Sequence, residues 1–204
     1  VLTAVIIGIP LGILSAVKQY SAADIISTVA AMLMAAIPGF WLALMMIILF
    51  SAKLGILPSY GIGSFLHYIM PTIAIGVPSA AAYLRLTRTT MLETIRQDYI
   101  RTARAKGATE RTVIWKHALN NALLPIVTLI GIDFGAMLGG TVITEAVFSI
   151  PGIGMHMLTA IRMKDIPVVM ATAIFLATLF CVIMVLVDIL YAFIDPRVKE
   201  QFTK

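Results

Sequence analysis

Three sets of side chains in this sequence could do chemistry. The first is a concentration of cations: residues 85–116 hold eight Lys/Arg and three acids, more than half of the chain's 15 basic residues. Such a cluster can meet an acidic protein surface, or hold a loop on the cytoplasmic side of a membrane. The second set is Asp133 and Glu145, two carboxylates within or beside an apolar run. Exposing an ionised group to lipid is expensive, so each must face a bundle interior, a cavity or a partner. There they could line a solute passage and attract a cation or a peptide amine, or serve as hydrogen-bonded structural groups. The third set is Met155-His156-Met157 with Met163, whose thioether and imidazole donors suit a transition metal. One histidine among methionines is not a metal site, and His67, His117 and His156 show no ligand spacing.

What is missing narrows the chemistry. No Gly-x-x-x-x-Gly-Lys-Ser/Thr string is present, so nothing cradles a nucleotide phosphate, and no nucleophile has a base beside it. The expectation is a chain that is not an enzyme and holds no cofactor or metal of its own.

The elements that must position these groups are membrane helices. The 204 residues are 60% hydrophobic and 12% charged, with a mean hydropathy of +1.00, which is too apolar for a soluble domain and short enough for one unit covering residues 1–204. The net charge of +5 does not point to nucleic acid, because the cations flank apolar runs rather than interleaving with stacking aromatics. Cys181 is alone in an apolar run, so no internal disulfide is available. The chain opens at Val1 inside an apolar stretch with no basic lead-in and no cleavage signature, which reads as a missing start.

Five apolar stretches predict five spans. Residues 1–17 carry Gly8, Pro10 and Gly12, suited to a kink or a close approach. Residues 25–52 are uncharged, with a kink expected at Pro38-Gly39 and Trp41 in a packing position. Residues 68–84 form a third span whose helix continues past the membrane through Arg85, Arg88 and Arg96. Residues 118–147 form a fourth, on which Gly131, Gly135 and Gly139 line one face for helix packing. Residues 166–187 form the fifth, after a short surface helix at 155–163. Lys/Arg bias places the 85–116 loop, the turn at Lys18 and the tail with Arg197, Lys199 and Lys204 in the cytoplasm. The loops near 53–67 and 148–166 then fall outside, with Tyr60, Phe65 and Tyr68 at headgroup level. This alternation calls for a sixth span upstream of Val1.

At the polar centre, about residues 98–117, the expected unit is helix, tight turn, helix. Tyr99 to Lys106 supply about two turns, Gly107 takes the left-handed conformation that ends a helix, and Thr109 with Glu110 caps the next one.

Around Gly107 the sequence resembles the loop of membrane subunits of binding-protein-dependent ABC importers: Glu-Ala-Ala, three residues, Gly, nine residues, Ile-x-Leu-Pro. Ala103, Gly107 and Leu119 match it, while Arg101 stands where Glu is usual and Asn120 where Pro is usual. The longer string Arg101-Thr-Ala-Arg-Ala-Lys-Gly107 followed by His117-Ala-Leu-Asn-Asn-Ala-Leu-Leu-Pro125 is similar to the dipeptide, oligopeptide and nickel permeases, which tolerate both changes. So are Glu145-Ala-Val-Phe-Ser-Ile-Pro-Gly-Ile-Gly154, the Asp165-Ile-Pro-Val-Val169 segment and the stretch from Asp188 to Arg197.

The resemblance implies an all-α polytopic membrane protein with a type I ABC importer transmembrane domain, multi-pass in the cytoplasmic membrane. Its implied partners are cytoplasmic ABC ATPase subunits that bind the ATP, a second and different permease subunit, and an external substrate-binding protein. The cargo would be a peptide, nickel or a glutathione-like solute. It further implies that Arg101, Thr102, Ala103, Arg104, Lys106 and Gly107 form the ATPase-docking element, with Arg104 and Lys106 meeting acidic surface and Ala103 allowing close approach. Asp133 and Glu145 remain candidates for lining the passage. The competing readings are a secondary transporter or channel without an ATPase, against which no internal repeat is found, and a purely structural subunit.

Overall fold

The structure, a computed structural model, describes residues 1–138 and 141–194, with side chains described to residue 189 in the last helix. Within it every regular element is helical. Helix α1 (Leu2–Val17) runs beside α4 (Leu66–Ile95), and the reason is in its glycines: a Cβ on Gly8 would lie 2.6 Å from the Ala80 carbonyl oxygen, and one on Gly12 would lie 2.6 Å from Thr87 Cβ. The two backbones approach as closely as a pair of glycines four residues apart permits.

Helix α2 (Ala22–Ala36) starts at Ser21, whose hydroxyl accepts the Asp24 N–H. It breaks at Pro38, and α3 (Gly39–Met46), continued by a π-helical turn over Ile47–Lys53, leaves at 90°. The expected kink is therefore a full corner. With Ile37 extended at φ −83°, ψ 120° and Pro38 unable to donate, no hydrogen bond carries the helix across. Trp41 does not pack inside either. It is 46% exposed.

Helix α4 is the centre of the bundle, touching α1, α2, α3 and, on another side, α7 (Leu119–Leu138). Its buried face is built largely of small residues and medium side chains, Met70, Ala74, Ala80, Leu84 and Met91 among them. At 30 residues it is about 45 Å long, more than a hydrocarbon core requires. There follow α5 (Asp98–Ala105), the turn at Gly107, and α6 (Glu110–Thr112), which runs through a π-helical stretch at Val113–Ala118 into α7.

The fourth expected span is shorter than residues 118–147. Helix α7 is described as far as Leu138, Thr141 is not helical, and Glu145 lies on a separate short helix, α8 (Val142–Val147), followed by α9 (Ile153–Met163) and α10 (Ile166–Ile194). Gly131 and Gly135 do pack a neighbour, since added Cβ atoms would lie 2.5 Å from Val187 and from Phe180 on α10. Gly139 lies outside the described residues, as do Arg197, Lys199 and Lys204. Of the five stretches, the segments Leu66–Ile95, Glu110–Leu138 and, within α10, Ile166–Ile189 are long and apolar enough to cross, the α2–α3 pair qualifies only as a bent unit, and α1 is a shorter apolar helix.

Candidate functional site

The polar elbow folds as its sequence dictates, and its turn is fully hydrogen-bonded. Gly107 adopts φ +81°, its N–H donates to the Arg104 carbonyl at 2.9 Å, and the Ala108 N–H donates to the Ala103 carbonyl at 3.2 Å. That pair of bonds is a Schellman motif closing α5. On the other side, Thr109 accepts the Thr112 N–H and caps α6. A guanidinium clamp spans the turn: Arg104 Nε and Nη2 donate to the two Glu110 oxygens at 2.7 and 3.2 Å. Glu110 raises the Arg104 pKa above its already high ordinary value, so the clamp keeps its cation.

What fixes the elbow to the bundle is apolar. Ile100 is completely buried in a cluster with Ile13 and Ala16 of α1, Met91 of α4, and Val113, Ala118 and Ala122 on the way into α7. Ala103 and Ala108 pack on the same cluster. Burying an isoleucine side chain stabilises by about 1.5–3 kcal/mol, more than an exposed ion pair supplies. Ile100 was not singled out from the sequence, although its i,i+3 spacing to Ala103 marks the inner face of an amphipathic helix.

The expected docking residues thus divide by side. Ala103 faces the protein's own core and Arg104 is engaged by Glu110. Arg101, Thr102, Lys106 and Gly107 are exposed; Arg101 has only a loose 3.8 Å contact with Asp98, and Thr102 bonds back to the Asp98 carbonyl. The outward surface that a partner could touch includes these four together with the exposed Arg104–Glu110 pair.

A second polar centre was not anticipated as a pair. Asp24, 3% exposed, receives Nε and Nη2 of Arg88 at 2.7 and 3.0 Å, the Ser15 hydroxyl, and the Tyr20 N–H at 2.9 Å. It ties the α1–α2 turn to α4. Arg85, three residues before Arg88, stays exposed, so the two arginines expected on one face do different work. The available signal was Asp24 itself, an acid standing next to 28 uncharged residues.

The two passage candidates differ. Asp133 is half-buried on α7 and close enough to Tyr83 of α4 to interact with it; the Tyr83 hydroxyl is buried and makes no hydrogen bond among the described residues. Glu145 is occupied structurally. Its Oε2 accepts the Met155 N–H at 2.7 Å in the first turn of α9, and Gly152 and Gly154 leave room for the carboxylate. An apolar cleft of about 500 Å³ at the α2–α3 corner, lined by Gly39, Phe40, Pro78 and Val142 among others, includes neither acid. No group of three or more His, Cys, Asp or Glu residues able to hold a metal occurs among the described residues.

This architecture has relatives. A chain in the inward-facing structures of the MetNI methionine ABC transporter superposes with a TM-score of 0.74 at 23% identity, covering 95% of this chain and 88% of that one. The fold is that of a type I ABC importer transmembrane domain. The chain is 41% identical over 224 residues to the dipeptide transport system permease protein DppB of Alkalihalophilus pseudofirmus, covering 96% of this chain and 67% of that protein. It is 41% identical to the glutathione transport system permease protein GsiC of Pectobacterium atrosepticum, covering 97% and 65%. The chain therefore spans about two thirds of the length of the curated relatives it matches. Residues 8–200 match the profile of the family described as binding-protein-dependent transport system inner membrane component, and the chain belongs to that family.

Proposed function

We propose that this chain forms the membrane passage subunit of an ATP-driven importer, taking up small peptides or glutathione-like solutes, and that the elbow around Gly107 is where cytoplasmic ATPase subunits dock. The observation that carries this reading is the rigidity of the elbow. A Schellman turn, a bidentate ion pair and the buried Ile100 hold it as one piece with α1, α4 and α7. An ATPase can bias the helices only through contacts that differ between its states, and a stiff elbow passes on displacement where a floppy one would absorb it. The second membrane subunit, the external binding protein and the cytoplasmic position of the elbow and the C-terminus belong to the same proposal. The cargo class follows the names of the two relatives.

Gly107→Val tests the docking role cleanly, because a Cβ there meets nothing within 4 Å and the cost is purely conformational. In the full-length transporter the variant should insert normally yet lose co-purification with the ATPase and substrate uptake. Retained ATPase binding with normal uptake would refute the assignment.

A further inference from the structure

The elbow is fastened to α1, α4 and the start of α7, and none of the described residues of α2 takes part in the cluster around Ile100. Yet α2 leads into the Pro38 corner, and α3 beyond it supplies Gly39 and Phe40 to one wall of the cleft of about 500 Å³, with Ala74 and Pro78 of α4 also lining it. If the elbow moves, α2 must be carried along by its contacts with α1 and α4.

Those contacts are of two kinds. One is apolar: Ala31 packs with Ala81 and Leu84 of α4 and with Leu11 of α1. Such packing is non-directional, and within lipid it has no hydrophobic drive behind it, so helices can slide along it. The other is the Asp24 centre. Ser15, which donates to Asp24, precedes Ala16 of the elbow cluster, and Arg88 lies three residues before Met91 of the same cluster. The polar tie therefore sits beside the elbow's anchor on both helices.

Its geometry is directional. Two N–H groups of one guanidinium meet the two carboxylate oxygens, which fixes distance and angle together as a single contact cannot. Asp24 is buried, and the low local dielectric strengthens each bond it accepts. The turn it closes is also held under strain: Tyr20, not a glycine, has φ +64°, and its N–H is one of those that Asp24 holds. A residue persists in that conformation where its surroundings over-determine it.

We infer that the Asp24–Arg88 pair is the coupling tie that makes the α2–α3 corner follow the elbow, so that ATPase movement changes the width of the cleft. Both are positioning residues, since neither lines the cleft. Coupling in this sense rests on the importer reading proposed above, whereas the tie is a property of the chain and is measurable without nucleotide.

The test uses the intact transporter carrying Asp24→Asn and Arg88→Gln together, because removing one partner alone would leave a lone charge buried. Spin labels on Ala35→Cys and Lys106→Cys, both exposed positions, report the distance from the end of α2 to the elbow. The background is Cys181→Ser, with any cysteines of the other subunits replaced. The distance distribution should be narrow with the native pair and broaden in the double variant. The double variant should keep its ATPase and hydrolyse about two- to thirtyfold more ATP per solute taken up, the range over which mutations alter coupling between sites. Arg88→Lys, which keeps the charge and loses the fork, should fall between the two. A pair that serves folding alone would lower hydrolysis and uptake together, in proportion to the protein assembled. That unchanged ratio, or an unchanged distance distribution, would overturn the inference. Failure of the docking reading would show differently, as co-purification of the ATPase that does not depend on Gly107, and the distance measurement would still decide whether the pair makes the tie.

Discussion

The two helical hairpins at opposite ends of the bundle solve one problem in opposite ways. Each turns the chain through a short break between helices, and each uses a glutamate to do it. In the elbow, Glu110 lies on the surface in an ion pair with Arg104, Gly107 has open space around it, and the fastening is Ile100 in the core. In the α8–α9 hairpin, Glu145 is turned inward onto the first turn of α9, and Gly152 and Gly154 are shaved to fit it. The elbow is thus fastened from within and polar outside. The other hairpin has a buried anchor too, Phe148 against Met46 and Met70, and adds the inward polar contact of Glu145. What differs is where the tolerance lies: the elbow's surface residues are replaceable and its anchor is not, while in α8–α9 the turn residues themselves are fixed.

The largest effect should come from removing the anchor. Ile100→Ala should destabilise the folded protein by about 2–5 kcal/mol, as for other large-to-small changes in a filled core. Limited proteolysis should find the elbow cut faster while α10 stays resistant; an unchanged elbow would erase the distinction between anchor and surface. Next come the glycines. An added Cβ on Gly152 would lie 2.3 Å from the Glu145 carboxyl carbon, so Gly152→Ala should cost about 1–3 kcal/mol through overpacking. Gly107→Ala meets nothing and should cost about 1 kcal/mol for the left-handed backbone alone. Thermal denaturation in detergent should rank them in that order, and the reverse order would break the comparison. The smallest effect belongs to the clamp. A double-mutant cycle on Arg104→Ala and Glu110→Ala should return a coupling of about 0.2–1 kcal/mol, shrinking as salt is raised.

Local chemistry was the legible part of the sequence. Gly107 followed by Thr109 and Glu110 prescribes a turn and a cap whatever the rest of the chain does, and the structure builds both. The glycines at 8, 12, 131 and 135 foretold close helix contacts because small residues at helical spacing have few other uses in a membrane. Long-range pairing was not legible. Nothing local announces that Asp24 meets Arg88, 64 positions away, or that the acid at 145 caps a helix ten residues later. The corner at Pro38 was underestimated for a related reason: proline reports that the helix is interrupted, while the 90° angle is set by what the two halves pack against. Counting the residues 118–147 as one span failed because hydropathy does not register a helix end inside an apolar run. Glu145 was thereby placed within the spanning stretch rather than on α8.

The central claim is that the elbow is a cytoplasmic surface covered by an ATPase. It is tested most directly by a cysteine at its tip, Lys106→Cys, in a Cys181→Ser background that removes the chain's own exposed thiol. The account predicts that a membrane-impermeant maleimide labels this cysteine in inverted vesicles, not in intact cells, and that bound ATPase protects it. Labelling in intact cells, or labelling in inverted vesicles that the ATPase leaves unchanged, would contradict it.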